Sequence, residues 1–109
     1  MRIWDITPKK LCRNHLLGEH RELHAIWSIL TKNKKGYSRH PETLRWKGKL
    51  AALYLRHKLL VEEMCCRGYR HLSLLDPIRA TGIKKQVVFI DSWVRQKEIL
   101  RNKNCDCKV

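Results

Sequence analysis

The chain has 109 residues, 43% of them hydrophobic, with 24 Lys and Arg against 10 Asp and Glu, a formal charge of +14. That length suits one domain with one modest core, residues 1–109, and the apolar share excludes a disordered chain. No run approaches the roughly 18 apolar residues of a membrane span, and MRIWDITPKK turns polar too early for a secretory leader, so a cytoplasmic protein is expected.

Arg2-Ile3-Trp4 reads as a short extended start. Thr7-Pro8 predicts an N-cap followed by proline at the first helical position. From about residue 8 to 31 the apolar spacing predicts a helix, with Leu16, Leu23, Trp27 and Leu30 on one stripe and Leu11, Leu17, Ile26 and Ile29 beside it. Lys34-Lys35-Gly36 is its expected end.

The stretch TKNKKGYSRHPETLRWKGK follows, a basic loop in which Pro41 offers a second helix start. It carries Lys32, Lys34, Lys35, Arg39, Arg45, Lys47 and Lys49 against a single Glu42, interleaved with Tyr37 and Trp46. Such cations track phosphates, while the two aromatic rings either stack on bases or pin the loop to the core. The next helix is strongest from Lys49 to Arg67, with Gly68 as its stop. Residues 69–86 read as irregular, with turns at Asp76-Pro77 and Thr81-Gly82. Val87-Val88-Phe89-Ile90 reads as a buried extended lead into a last helix, capped by Asp91 or Ser92 and ending near Asn102. The expected fold is all-α, a single compact domain of three main helices with long basic loops. The charge calls for a polyanion: nucleic acid first, then an anionic membrane or the ribosome.

The first helix has a crowded polar side. His15, Glu19 and Glu22 share one stripe, and Asn14, Gly18, Arg21 and Ala25 a second. Read alone, the stripe fits a solvated helix edge or a catalytic face, and Glu19 and Glu22 are equivalent. Gly18 costs about 1 kcal/mol relative to alanine, which suggests that another backbone approaches there. His20 and His24 lie four residues apart, but the run is H-R-E-L-H, and Glu22 points about 160° away from His20. They read as packing or surface residues.

The five cysteines do not suggest a disulfide framework in a reducing compartment. Cys105-Asp106-Cys107 is tighter than usual zinc spacing, and Cys66, His71 or Cys12 would have to complete such a site. Reduced thiols, with Cys65 and Cys66 among them, and no metal are the expectation.

HLLGEHRELHAIW resembles the H-L-x-x-E-x-R-E-L signature of the pyrimidine-dimer DNA glycosylases of the phage endonuclease V type. Arg2-Ile3 stands at the matching distance before it, and KLAALYLRHKLLVEEMCCRGY resembles that family's second long helix. The similarity covers roughly residues 1–70, and the remainder resembles a shorter cellular branch that ends in the style of NCDCKV.

The resemblance implies a glycosylase and AP lyase that acts on lesion-bearing double-stranded DNA as a monomer, associated with the nucleoid, without metal or organic cofactor. It implies the α-amine of Met1 as nucleophile at C1′ of the damaged nucleotide, forming an imine from which β-elimination breaks the strand. Arg2 is bulky, so Met1 is expected to be retained. An α-amine, with a reference pKa of about 7.7–8.0, is partly free base near neutrality. Glu22 falls on the catalytic carboxylate, Arg2 and Arg21 on phosphate contacts, and Asn14 (in place of glutamine) and His15 on the site's lining. Glu19 falls on a glutamate of structural role, paired with an arginine. Ala25 replaces a DNA-binding arginine, and the family's aromatic tail is absent; Arg95, Lys97 and Arg101 are the candidates to replace its third-helix cations. The reading from another class is a non-catalytic basic helical module that binds DNA or RNA.

Overall fold

A computed structural model describes residues 2–70 and 74–109. It is all-α, with no strand among the described residues. Three main helices carry the fold: α1 (Arg13–Thr31), α3 (Leu50–Cys66) and α4 (Trp93–Arg101), with a short α2 (Pro41–Trp46) between the first two.

The first helix begins later than its periodicity suggests. Thr7-Pro8 opens only a 3-10 turn, Pro8–Lys10, after which Leu11 and Cys12 are extended. The cause is long-range. Leu11 is turned into the core, and Arg67 Nη2 at the end of α3 donates to the carbonyl oxygens of Pro8 (3.2 Å) and Leu11 (2.7 Å), which ties this segment down. Cys12 becomes the N-cap of α1. The far end also differs: α1 stops at Thr31, and Asn33 rather than Gly36 takes the left-handed turn, at φ 50°.

Helix α2 lies inside the expected basic loop, where the His40 ring accepts from the Glu42 N–H at 3.1 Å. Helix α3 has no side-chain cap. Its first N–H groups, on Ala51 and Ala52, donate instead to the carbonyls of Thr81 (2.8 Å) and Ile83 (3.1 Å). Gly68, at φ 79°, closes α3 as expected. Ser92, not Asp91, caps α4 by accepting from Arg95 N–H at 3.2 Å.

Leu16, Leu23 and Ile26 of α1 meet Leu53 and Leu60 of α3 in a fully buried seam, and Leu100 of α4 joins the same core. Ile3, Trp4 and Ile6 thread the N-terminal segment through it. Trp27 and Trp46 are buried as well, whereas Trp93 is exposed. Residues Val87–Ile90 correct the sequence reading. They are not buried, with Val87 64% and Ile90 48% exposed.

Candidate active site

The N-terminal segment is fixed by polar groups from every helix around it. Trp4 N–H donates to Glu19 Oε1 of α1 (2.9 Å), and Asp5 N–H to Gln96 Oε1 of α4 (2.8 Å). The Ile3 carbonyl accepts from Arg45 Nη2 of α2 (3.0 Å), and the Ile6 carbonyl from Arg56 Nη2 of α3 (2.9 Å). An extended strand without sheet partners must find such acceptors and donors to be buried at all.

This segment forms one wall of a cleft against the polar side of α1. The cleft is lined by Arg2 and Trp4, by Asn14, His15, Gly18, Glu19 and Glu22, and by Ile99 and Lys103 from the C-terminal part of the chain. Both polar stripes of α1 thus open into one space. Arg21 is exposed and is not part of that lining. Among the described residues Gly18 has no neighbour within 4 Å of where a Cβ would stand, so none of them makes the close approach expected at this glycine.

The two glutamates, equivalent in sequence, separate cleanly. Glu19 is buried and held by Arg56 through two bonds, Nε to Oε2 at 2.7 Å and Nη2 to Oε1 at 3.0 Å. Burial pushes its carboxyl up, and Arg56 and the Trp4 N–H pull against that shift. All three of these hydrogen-bond partners are donors, so Glu19 acts as the anionic peg between α1, α3 and the N-terminal segment. Glu22 lines the cleft and, among the described residues, forms no ion pair. Glu19 is thus engaged by a bidentate arginine, whereas Glu22 faces the cleft.

Arg2 lies over the Trp4 ring at 4.4 Å and pairs with Asp91 at 2.9 Å. Its Nε is buried with no hydrogen-bond partner among the described residues. His15 stands edge-on to Trp4, and its Nδ1 faces Cys12 Sγ (3.0 Å) and Cys107 Sγ (3.2 Å). Burial, reinforced by the Lys103 charge, holds His15 below the usual histidine range, so a neutral ring is expected there rather than a phosphate-binding cation. Met1 lies outside the described residues.

The predicted DNA-contacting cations divide. Lys32, Lys34, Lys35, Arg39 and Lys47 are exposed, and Tyr37 beside them is 71% exposed at a left-handed φ of 57°. Lys35, Tyr37, Ser38, Arg39 and His40 line a shallow depression. Arg45 is a correction. It is buried, paired with Glu42 (2.6 Å) and Asp5 (3.2 Å), and donates to the Ile3 and Val88 carbonyls. Trp46 is likewise internal, its indole N–H donating to Glu42 Oε1 at 3.0 Å. Of the proposed replacements for a third-helix basic face, Arg95 pairs with Glu98 and Arg101 donates to the Val109 carbonyl. Lys97 lines a different recess with Asp5 and Trp93. The C-terminal cation that does reach the cleft, where Arg2 already stands, is Lys103, just beyond α4. Its distance in sequence from α1 concealed it.

Two further side-chain groups converge. The Nε2 atoms of His20, His24 and His57 meet at 3.2 and 3.1 Å, so the histidine pair of α1 acquires a third member from α3. Cys12, His15, Cys105 and Cys107 bring their ligand atoms within 4.8 Å of one another. Burial pushes the Cys107 thiol up to about 12. Burial also raises Cys12, but backbone N–H groups of His15 and Asn14 at the open end of α1 outweigh it, and the net shift is downward. Cys65 and Cys66 are exposed at the end of α3, and His71 lies outside the described residues.

A sequence model of the family described as "Pyrimidine dimer DNA glycosylase" matches residues 1–76. The chain belongs to that family. No curated protein and no solved structure matches it. The matched span holds the N-terminal segment, α1, α2 and α3, and therefore every residue lining the cleft except Ile99 and Lys103. No helix among the described residues is long and apolar enough to cross a membrane.

Proposed function

We propose that this member of the pyrimidine dimer DNA glycosylase family removes a damaged base and then cuts the strand as an AP lyase. The substrate is duplex DNA bearing a pyrimidine dimer or a related lesion. The observation that carries the reading is the shared cleft: Arg2, next to the chain's first residue, and Glu22 line the same space. In this mechanism the α-amine of Met1, as free base, attacks C1′ of the damaged nucleotide. The C1′–N bond breaks and the base departs with its electron pair; the C1′–O4′ bond then opens, O4′ takes a proton, and an iminium links Met1 to the opened sugar. Loss of a C2′ proton then expels the 3′ phosphate by β-elimination. Glu22 stabilises the cationic sugar and moves protons in the elimination.

Arg2, Arg21 and Lys103 hold phosphates about the lesion, with Asn14 and His15 beside them as uncharged lining. Lys32, Lys34, Lys35, Arg39 and Lys47 extend the contact along the backbone, and Tyr37 is placed to stack on a base. Gly18 leaves room for the distorted sugar-phosphate chain. Because C1′ is inaccessible in a stacked duplex, the bound DNA is bent or opened at the lesion.

Borohydride added to the protein with ultraviolet-irradiated or abasic duplex tests this directly. A covalent adduct that maps to Met1 is expected, and Glu22→Gln should lower strand cleavage by about a hundredfold or more while salt-sensitive binding stays nearly intact. Tight binding to undamaged DNA with no adduct would instead establish a non-catalytic basic module.

A further inference from the structure

The C-terminal tail returns to the start of α1, and its purpose is not explained by the glycosylase chemistry. Lys108 N–H donates to the Lys10 carbonyl at 2.7 Å, and Cys12 N–H to Cys107 Sγ at 3.1 Å. Cys107 and Val109 pack against the core. The tail brings two thiols to a point that already holds Cys12, the N-cap of α1, and His15, one turn further on.

We propose that Cys12, His15, Cys105 and Cys107 form a structural zinc site that clamps the C-terminal tail to the first turn of α1. Three sulfurs and one imidazole nitrogen are a complete tetrahedral ligand set for zinc, with no position left for water. Sulfurs bonded to zinc at about 2.3 Å stand about 3.8 Å apart, so four donor atoms gathered within 4.8 Å are at the spacing such a site uses. Cys12 and His15 have the usual two-residue gap, and the fold brings the tighter Cys105/Cys107 pair alongside them.

A disulfide would use two of the sulfurs and leave the third, and the imidazole facing two of them, without a reason to converge. Charge points the same way. Three thiolates and a zinc ion carry one net negative charge, which a chain of +14 accommodates readily. The metal would also fix His15, and hence the floor of the cleft, through Nδ1. The His20, His24 and His57 group is the competing location, but among the described residues it offers nitrogen ligands and no thiolate.

The test needs no catalytic activity. The full chain, purified from zinc-supplemented cells and dialysed, should hold about one zinc per molecule by mass spectrometric metal analysis. Replacing zinc with cobalt should give intense tetrahedral d–d bands and a thiolate-to-cobalt charge-transfer band. Cys105→Ser and Cys107→Ser should each lose most of the metal, whereas Cys65→Ser, Cys66→Ser and His57→Ala should retain it. The cobalt spectrum of the unaltered chain decides the matter even if the cysteine variants fold poorly. A metal-free chain with no charge-transfer band overturns the proposal. So does metal that survives Cys107→Ser and leaves with His57→Ala, or a metal-free protein whose mass shows a disulfide.

Discussion

Two non-helical segments of this chain each carry apolar side chains ahead of a helical element and behave oppositely. Residues 2–6 hold Ile3, Trp4 and Ile6, residues 86–90 hold Val87 to Ile90, and both are tethered by polar side chains. In the first, Ile3, Trp4 and Ile6 point into the core. In the second, Gln86 ties the backbone down, accepting from Lys49 Nζ (2.7 Å) and donating to the Arg45 carbonyl (2.6 Å), yet Val87 to Ile90 remain at the surface. Apolar composition marks what a segment is able to bury. Whether it does so depends on which backbone groups the rest of the fold can satisfy. The first segment meets Glu19, Arg45, Arg56 and Gln96 on successive residues, and the second meets far fewer inward partners.

Arg45 touches both segments, through the carbonyls of Ile3 and Val88, so its removal is the strongest way to break the contrast. Arg45→Ala leaves the buried Glu42 carboxylate uncompensated and frees both backbones. A loss of about 3–5 kcal/mol of unfolding free energy is expected, measured by urea titration. Were Arg45 a DNA-contacting residue instead, the same change would weaken binding and leave stability nearly unaltered.

A smaller loss, confined to the loop that leads to the second segment and caps α3, is expected at Gly82. This residue sits at φ 83°, and an added Cβ would collide with the Gly48 carbonyl. Thr81 and Ile83 on either side supply the carbonyls that cap α3. Gly82→Ala should cost about 1–3 kcal/mol and increase amide exchange at Ala51 and Ala52, while exchange at Trp4 and Asp5 should not change. Equal loss of protection in both regions would show that the segments unfold as one unit and that the comparison is superficial.

Helices α1 and α3 were legible because their burial follows local periodicity, and Gly68 because a left-handed stop has its own residue preference. Glu22 and Glu19 were found as a pair, but their roles were not separable without Arg56, which lies on another helix. Arg45 was misread for the same reason: a basic run predicts a solvated face, and nothing local reveals that Glu42, Asp5 and two carbonyls enclose one of its members. The late start of α1, the cleft position of Lys103 and the meeting of Cys12 with Cys107 all depend on contacts between residues far apart in sequence. The HRELH run has the same limit, because its third histidine, His57, comes from α3.

The finest test returns to the first region. Gly18 stands in the middle of α1 with no described residue where a side chain would project, and it lines the cleft walled by Arg2 and Trp4. Among the described residues an alanine methyl there displaces nothing, and Gly18→Ala should raise stability by about 1 kcal/mol through helix propensity. If the glycine exists to admit a sugar-phosphate backbone, the added methyl should reduce strand cleavage and weaken binding to lesion-bearing duplex. Arg45→Ala and Gly82→Ala act through stability; here stability and activity should move in opposite directions. A Gly18→Ala variant that is both more stable and fully active would mean that no substrate backbone passes over this turn of α1, and the cleft would have to engage DNA from its Lys103 side.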